Sequence, residues 1–185
     1  MYLIVGLGNP EEDYAKTRHN MGFNAINEIA KEYEIDISRN KFNGLYGSGI
    51  IEKEKVILLK PQTYMNSSGE SIIEFMKFYK LDNSNLIVVY DDVDIEPGNI
   101  KIRKSGSAGS HNGMKSVVHF LGAEYFKRVR IGIGKPKDNK DLIEHVIGVI
   151  DEEDIQALEL GVAKAKDGII EILKNGIDSA MNKYN

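Results

Sequence analysis

The chain has 185 residues, 42% of them hydrophobic and 28% charged, which is enough for one compact domain spanning 1–185 with its own core. Cysteine is absent, so disulfides, thiolate nucleophiles and Cys-ligated metals are excluded, and no apolar run approaches the roughly 20 residues of a membrane span. The net charge of −4 is unevenly spread: between Lys101 and Lys140 ten basic residues oppose only Glu124 and Asp138, a net of +8 against −12 elsewhere, as expected of one phosphate-binding face on an acidic protein.

Met1 to Gly6 is apolar but has no basic segment before it and no cleavage site after it, so Tyr2–Gly6 reads as a first strand rather than a leader. The loop Gly6-Leu7-Gly8-Asn9-Pro10 follows it. A helix begins near Asn20, which reads as its cap, with Phe23, Ile26, Ile29 and Tyr33 on one face. Leu45–Ile51 and Val56–Lys60 are strands joined as a hairpin around Glu52-Lys53-Glu54-Lys55, which makes the sheet mixed. The next helix opens at Ser67 with Glu70 three residues on, a capping-box spacing, and carries Ile72, Phe75, Met76 and Tyr79 inward. Ser67 as the cap leaves the amide of Asn66 spare.

Leu86–Tyr90 is a strand that runs into Asp91-Asp92-Val93-Asp94, and Ile100–Arg103 is another. A Gly/Ser-rich loop over 105–110 precedes a helix from Asn112, and Val129–Ile133 is the last strand. Helices start near Asp141 and Asp151. The latter places Ile155, Leu158, Val162, Ala165, Ile169 and Ile172 at three- and four-residue steps, with Gly176 as C-cap, and is expected to cover the sheet. Strands alternating with helices predict an α/β fold: a single three-layer domain with a twisted mixed β-sheet flanked by helices.

Several familiar sites are missing. Gly6-x-Gly8 has Glu11 where a dinucleotide fingerprint needs its third glycine, and no P-loop, G-x-S-x-G or H-E-x-x-H occurs. Asp91, Asp92 and Asp94 together suit a hard divalent cation, or else a turn after a strand. His19 precedes a helix and His111 sits in the glycine-serine loop, whereas His119 and His145 fall within helices and read as structural or surface groups. Asn9, Asn66 and Asn112 stand at loop mouths, where side-chain amides pair with peptide groups as a backbone would.

Taken together, Val5 to Pro10, Tyr14 to Gly22, Pro61 to Gly69, Asp91 to Asp94, Pro97-Gly98, Gly109 to Gly113 and Arg128 to Gly134 resemble the bacterial peptidyl-tRNA hydrolase family. The resemblance runs over most of the chain, and seven segments in order are far more specific than any one. It implies a cytoplasmic, monomeric esterase with no cofactor and no metal that binds the acceptor stem and 3′ end of peptidyl-tRNA. His19 is implied as the base with Asp91 as its partner, and Asn9, Asn66 and Asn112 as amides that hold peptide and water. Lys101, Arg103 and Arg130 match the phosphate clamp, and Tyr14, Tyr64 and His111 match positions near the terminal nucleotides or the peptide. The chain departs from the family with serines at 105, 107 and 110, where glycine would leave φ freer, and with Arg103 where Lys is common, a change that keeps the charge. An RNA-binding protein without turnover and a metal-dependent phosphoester hydrolase centred on the aspartates are the rival readings.

Overall fold

The computed structural model describes residues 1–185. Seven strands form one mixed sheet in the order β2-β3-β4-β1-β5-β7-β6, with β1 (Tyr2–Gly6), β2 (Arg39–Lys41), β3 (Gly44–Ile51), β4 (Glu54–Pro61), β5 (Leu86–Asp92), β6 (Ile100–Ser105) and β7 (Tyr125–Gly132). The central strands β4, β1, β5 and β7 are parallel, and antiparallel β3 and β6 flank them. β1 and the inner stretches of β4 and β5 are almost wholly apolar, as strands covered by helices on both faces must be, whereas β7 carries Lys127, Arg128 and Arg130. The β3–β4 hairpin turns on Glu52 and Lys53, both at positive φ (49° and 71°), a two-residue turn whose twist matches the strands.

On one face, α1 (Met21–Glu32), α5 (Glu152–Asn175) and α6 (Ile177–Tyr184) pack Ile26, Ile29, Val162 and Ile169 against Ile4, Ile87, Val129 and Ile102. On the other, α2 (Ser68–Phe78) and α3 (Asn112–Leu121) pack Ile72, Phe75, Met114 and Val117 against Val5, Leu59, Val88 and Phe126. The short α4 (Leu142–Ile147) belongs to neither layer and lies beside the 3-10 turn Arg18–Asn20. The three-layer α/β expectation holds, with the α5 stripe inward from Leu158 onward but Ile155, its first predicted member, exposed, and with Gly176, at φ 91°, ending that helix.

Two caps read from the sequence do not form. Ser67 and Asn20 make no side-chain cap hydrogen bond. Both helices are entered through a 3-10 turn, Met65–Ser67 or Arg18–Asn20, in which the N–H groups of Ser68 and Met21 bond the carbonyls of Met65 and Arg18. The N–H of Gly69, which Ser67 would cap, goes instead to Oγ of Ser116 at 2.9 Å. The side chains of Ser67 and Asn20 are therefore left for other work.

One close approach sets the site. A Cβ on Gly6 would lie 2.2 Å from the carbonyl oxygen of Gly22, and a Cβ on Gly22 would lie 2.5 Å from the nitrogen of Leu7 and the oxygen of Val89. With glycine at both positions the start of α1 sits directly on the ends of β1 and β5. The turn that carries His19 is thereby brought to the strand end that carries Asp91. This is the carboxyl edge of the parallel strands, where α/β sheets bind ligands.

Candidate active site

Asp91 is fully buried at the end of β5 and bonded to two histidines, one on each oxygen. Its Oδ2 lies 2.8 Å from Nδ1 of His19, and its Oδ1 lies 2.9 Å from Nε2 of His111. Nδ1 of His111 accepts the backbone N–H of Met114 at 3.2 Å, so His111 must carry its proton on Nε2 and donate it to Asp91. His19 donates from Nδ1 to the other carboxylate oxygen and keeps the Nε2 lone pair free. That lone pair is the feature a general base needs.

Burial alone would raise the Asp91 pKa, but the charges and hydrogen bonds of His19 and His111 outweigh it and hold the carboxyl below the usual range. Burial likewise works against the charged form of His19, and the adjacent Asp91 charge and hydrogen bond overcome it, so the imidazole titrates above 6.5. The ligand atoms of His19, Asp91 and His111 all lie within 4.8 Å of one another, as a metal site requires. Both nitrogens that face Asp91 already donate to it, so a metal there would have to displace both protons.

The three clustered carboxylates do not converge on a cation. Asp91 faces the histidines. Asp92 accepts Nε of Arg130 at 2.7 Å and the backbone N–H of Asp94 at 2.8 Å, and Asp94 itself is exposed. The sequence-level alternative of a turn accounts for Asp92 and Asp94, and ion pairing with the basic face completes the account.

His19, Asp91, His111, Asn112, Arg103 and Arg130 line one cavity of about 450 Å³, together with the 105–110 loop and Leu142, Ile143 and Val146 of α4. The basic face follows from strand alternation. Lys101 pairs in register with Arg130, and Arg103 with Arg128, so all four side chains stand on one face of the β6–β7 edge while Ile100, Ile102, Val129 and Ile131 enter the core behind them. Arg128 is spent internally. It is fully buried, stacks on Phe126, and donates to the carbonyls of Gly106, Ser107 (2.7 Å) and Glu124 (2.9 Å), pinning the loop that leads to His111. Lys101, Arg103 and the free end of Arg130 remain for an anionic partner.

Asn9, Tyr14, Tyr64 and Asn66 form a second group outside that cavity lining. Oδ1 of Asn9 accepts the backbone N–H of Met65 at 2.8 Å, which fixes the carboxamide so that its NH₂ is the free end. Tyr64 is 46% exposed at φ 62°, ψ 160°, a backbone region that belongs to glycine, and its hydroxyl donates to Glu11, which raises the phenol pKa. Asn66 is exposed beside it. The two groups meet at Asn20, next to His19, whose side chain bonds both backbone groups of Asn9.

Four contributors escaped the sequence reading: Asn20 as the clamp on Asn9, Glu11 as the support of Tyr64, His111 as the second partner of Asp91, and buried Arg18. Of these, His111, Arg18 and Asn20 stood in segments marked by the resemblance, but none was marked for the contact it makes. All four act through contacts made across the fold.

A family model described as peptidyl-tRNA hydrolase matches residues 3–185. The chain is 53% identical to a peptidyl-tRNA hydrolase of Clostridium perfringens over all of this chain and 97% of that one. It is 51% identical to that of Thermoanaerobacter sp. (strain X514) over the whole of both. Among solved structures, peptidyl-tRNA hydrolase from Acinetobacter baumannii aligns with a TM-score of 0.93 at 37% identity, over 100% of this chain and 96% of that one. A uridine phosphorylase from Vibrio fischeri, 10% identical with a TM-score of 0.56, shares the fold alone.

Proposed function

The chain belongs to the peptidyl-tRNA hydrolase family and cleaves the ester between a peptide and the terminal ribose of tRNA, and on that premise we propose that His19 is the general base that activates water. The observation that carries the assignment is the 2.8 Å contact of His19 Nδ1 with Asp91 Oδ2, which leaves Nε2 free at the cavity.

Nε2 takes a proton from water as the oxygen adds to the ester carbonyl. The tetrahedral oxyanion then collapses, the C–O bond to the ribose breaks, and the imidazolium returns its proton to the departing alkoxide. Asp91 holds the tautomer and stabilises the imidazolium, as the third member of a triad does. General-base catalysis of this kind contributes about 10²–10⁴-fold. The free NH₂ of Asn9 is the best-fixed donor for the oxyanion, because its other end is tied to Met65. Asn66 and Asn112 hold the peptide main chain, which every sequence shares, and Tyr14 and Tyr64 take the terminal nucleotides or the peptide. Lys101, Arg103 and Arg130 contact the phosphates of the acceptor stem without reading bases. His111 orients Asp91 instead of binding substrate directly.

One chain supplies every residue in this scheme, so a monomer suffices, and translation delivers the substrate in the cytoplasm. The test is hydrolysis of N-acetyl-aminoacyl-tRNA in EDTA by wild type and His19→Ala. Release of tRNA that falls about 10²-fold or more in the variant supports the reading. A variant as fast as wild type overturns it, and wild-type turnover that appears only with added Mg²⁺ would return the chemistry to a metal.

A further inference from the structure

Arg18 is one of the least exposed charged side chains in the molecule, and nothing in the proposed chemistry uses it. Its guanidinium lies 3.0 Å from a carboxylate oxygen of Asp154 and 3.5 Å from one of Asp151, at the start of α5, and donates to the carbonyl of His145 in α4 at 3.3 Å. Its Nε has no partner. An ion buried this deeply costs stability unless its contacts offset the loss of water, and an incompletely bonded one is an unfavourable way to build a core. Its position offers another explanation.

Arg18 precedes His19 within one 3-10 turn, and its side chain reaches the element that forms the far wall of the cavity. The six-residue α4 is too short to hold itself by helix cooperativity. Its Ile143 is 61% exposed, and Ile147 and the following Val149 are exposed as well, so apolar burial holds it only in part. Two polar anchors do the rest. Nε2 of His145 donates to the carbonyl of Gly134 at 2.9 Å, and Arg18 caps the carbonyl end of α4, where a cation also suits the helix dipole. Leu142, Ile143 and Val146 on α4 face the same cavity as His19.

We infer that Arg18 is a positioning residue for the reaction: one guanidinium fixes both the turn that aims His19 and the α4 wall that closes the cavity over it. Base and wall are thereby set together, and substrate meets an aligned base only where α4 is seated. This rests on the reading of His19 as base and adds how that base is held.

Three variants separate the possibilities, each followed by hydrogen exchange of the amides at 142–150, by melting temperature, and by kcat and KM on N-acetyl-aminoacyl-tRNA. Asp154→Asn keeps the shape and removes the charge that holds Arg18 toward α5. It is expected to speed α4 exchange and raise KM several-fold with kcat little changed. Arg18→Lys keeps the charge but loses the fork that reaches α4 and α5 together, so α4 exchange speeds, KM rises and kcat falls about 10- to 100-fold, the size of effect that misplacement of a reacting group brings. His19→Ala is expected to lower kcat at least about 10²-fold with α4 exchange as in wild type, so a failure of the base reading shows in that variant alone. The inference is overturned if α4 exchange stays at the wild-type rate in Arg18→Lys. It is equally overturned if exchange rises uniformly across the domain with a lowered melting temperature, which marks a purely structural ion, or if kcat and KM are both unchanged while α4 is loosened.

Discussion

Asn20 and Asn9 are joined like two strands of backbone: Oδ1 of Asn20 accepts the N–H of Asn9 at 2.8 Å, and its Nδ2 donates to the carbonyl of Asn9 at 2.9 Å. Both residues are buried, and Asn20 immediately follows His19. The carboxamide proposed to meet the oxyanion is therefore indexed to the residue after the base. Asn20→Ala is expected to lower kcat by about 10–10²-fold with KM nearly unchanged. Each backbone group of Asn9 left unpaired should cost about 1–3 kcal/mol in chemical denaturation. Wild-type kcat in a stably folded variant would show that the clamp has no part in turnover.

The His19–Asp91 pair sets the pH dependence. The base must be neutral to accept a proton, and Asp91 raises its pKa above 6.5, so kcat/KM should fall on the acid side with a midpoint above that value. Asp91→Asn removes the charge, moves the limb to lower pH and lowers the rate about 10²–10⁴-fold. For stability the sign is opposite. A raised histidine pKa favours the folded state fully below 6.5 and loses that contribution as pH rises through the folded value. Asp91, held low, stabilises above the ordinary carboxylate value of 3.8 and loses its contribution as pH falls through its folded value. The acidity that tightens His19 in the fold thus disables it as a base, and an acid limb that does not move in Asp91→Asn would separate the two residues.

Arg103 and Arg130 share a face but not a surrounding. Arg103→Ala should reduce the salt slope of tRNA binding by about one contact's worth, with single-turnover rate at saturation near wild type. Arg130→Ala also strands Asp92, whose Oδ2 is 2.7 Å from Arg130 Nε, and leaves an anion where phosphate should bind. It is expected to weaken binding more than Arg103→Ala, with part of the loss recovered in Arg130→Ala/Asp92→Asn. Equal Kd values for the two single variants, measured across a salt series, would count against Asp92 as the cause.

Much of this was legible in the sequence because it is periodic or local. Apolar runs located six strands, and the surplus of cations between Lys101 and Lys140 marked a basic face, whose grouping of Lys101, Arg103, Arg128 and Arg130 is set by the β6–β7 register. The edge strand Arg39-Asn40-Lys41 has no apolar residue to mark it, and α6 follows α5 across Gly176 alone. The caps failed for a different reason. Ser67 and Asn20 have the right chemistry at the right place, but Oγ of Ser116 already takes the N–H of Gly69 that Ser67 would cap, and the carboxamide of Asn20 is spent on the backbone of Asn9. Ser67→Ala should therefore change stability by about 0.5 kcal/mol or less, against about 1 kcal/mol for a working cap. A loss of 1 kcal/mol in urea unfolding would restore the capping box. The clamp by Arg18 joins residues 127 and 136 positions apart, a relation no local pattern encodes.

Tyr64 presents a conflict between fold and function that a single substitution can measure. Its φ of 62° and ψ of 160° fall where a side chain costs about 1–3 kcal/mol, and glycine alone is at ease there. Tyr64→Gly relieves that strain and gives up little apolar burial, since the ring is 46% exposed. Against this, glycine brings about 0.5–1 kcal/mol of extra unfolded-state entropy. The balance favours a variant about 1 kcal/mol more stable than wild type, read as a higher denaturation midpoint with the slope unchanged. If the strain is kept because Tyr64 holds the end of the substrate, the stabler protein should be the worse enzyme, with KM raised several-fold and kcat less affected. A stabilised Tyr64→Gly with wild-type KM would mean that the tyrosine is strained for no purpose in binding, and a destabilised one would mean that the surrounding contacts, the Glu11 hydrogen bond among them, outweigh the backbone.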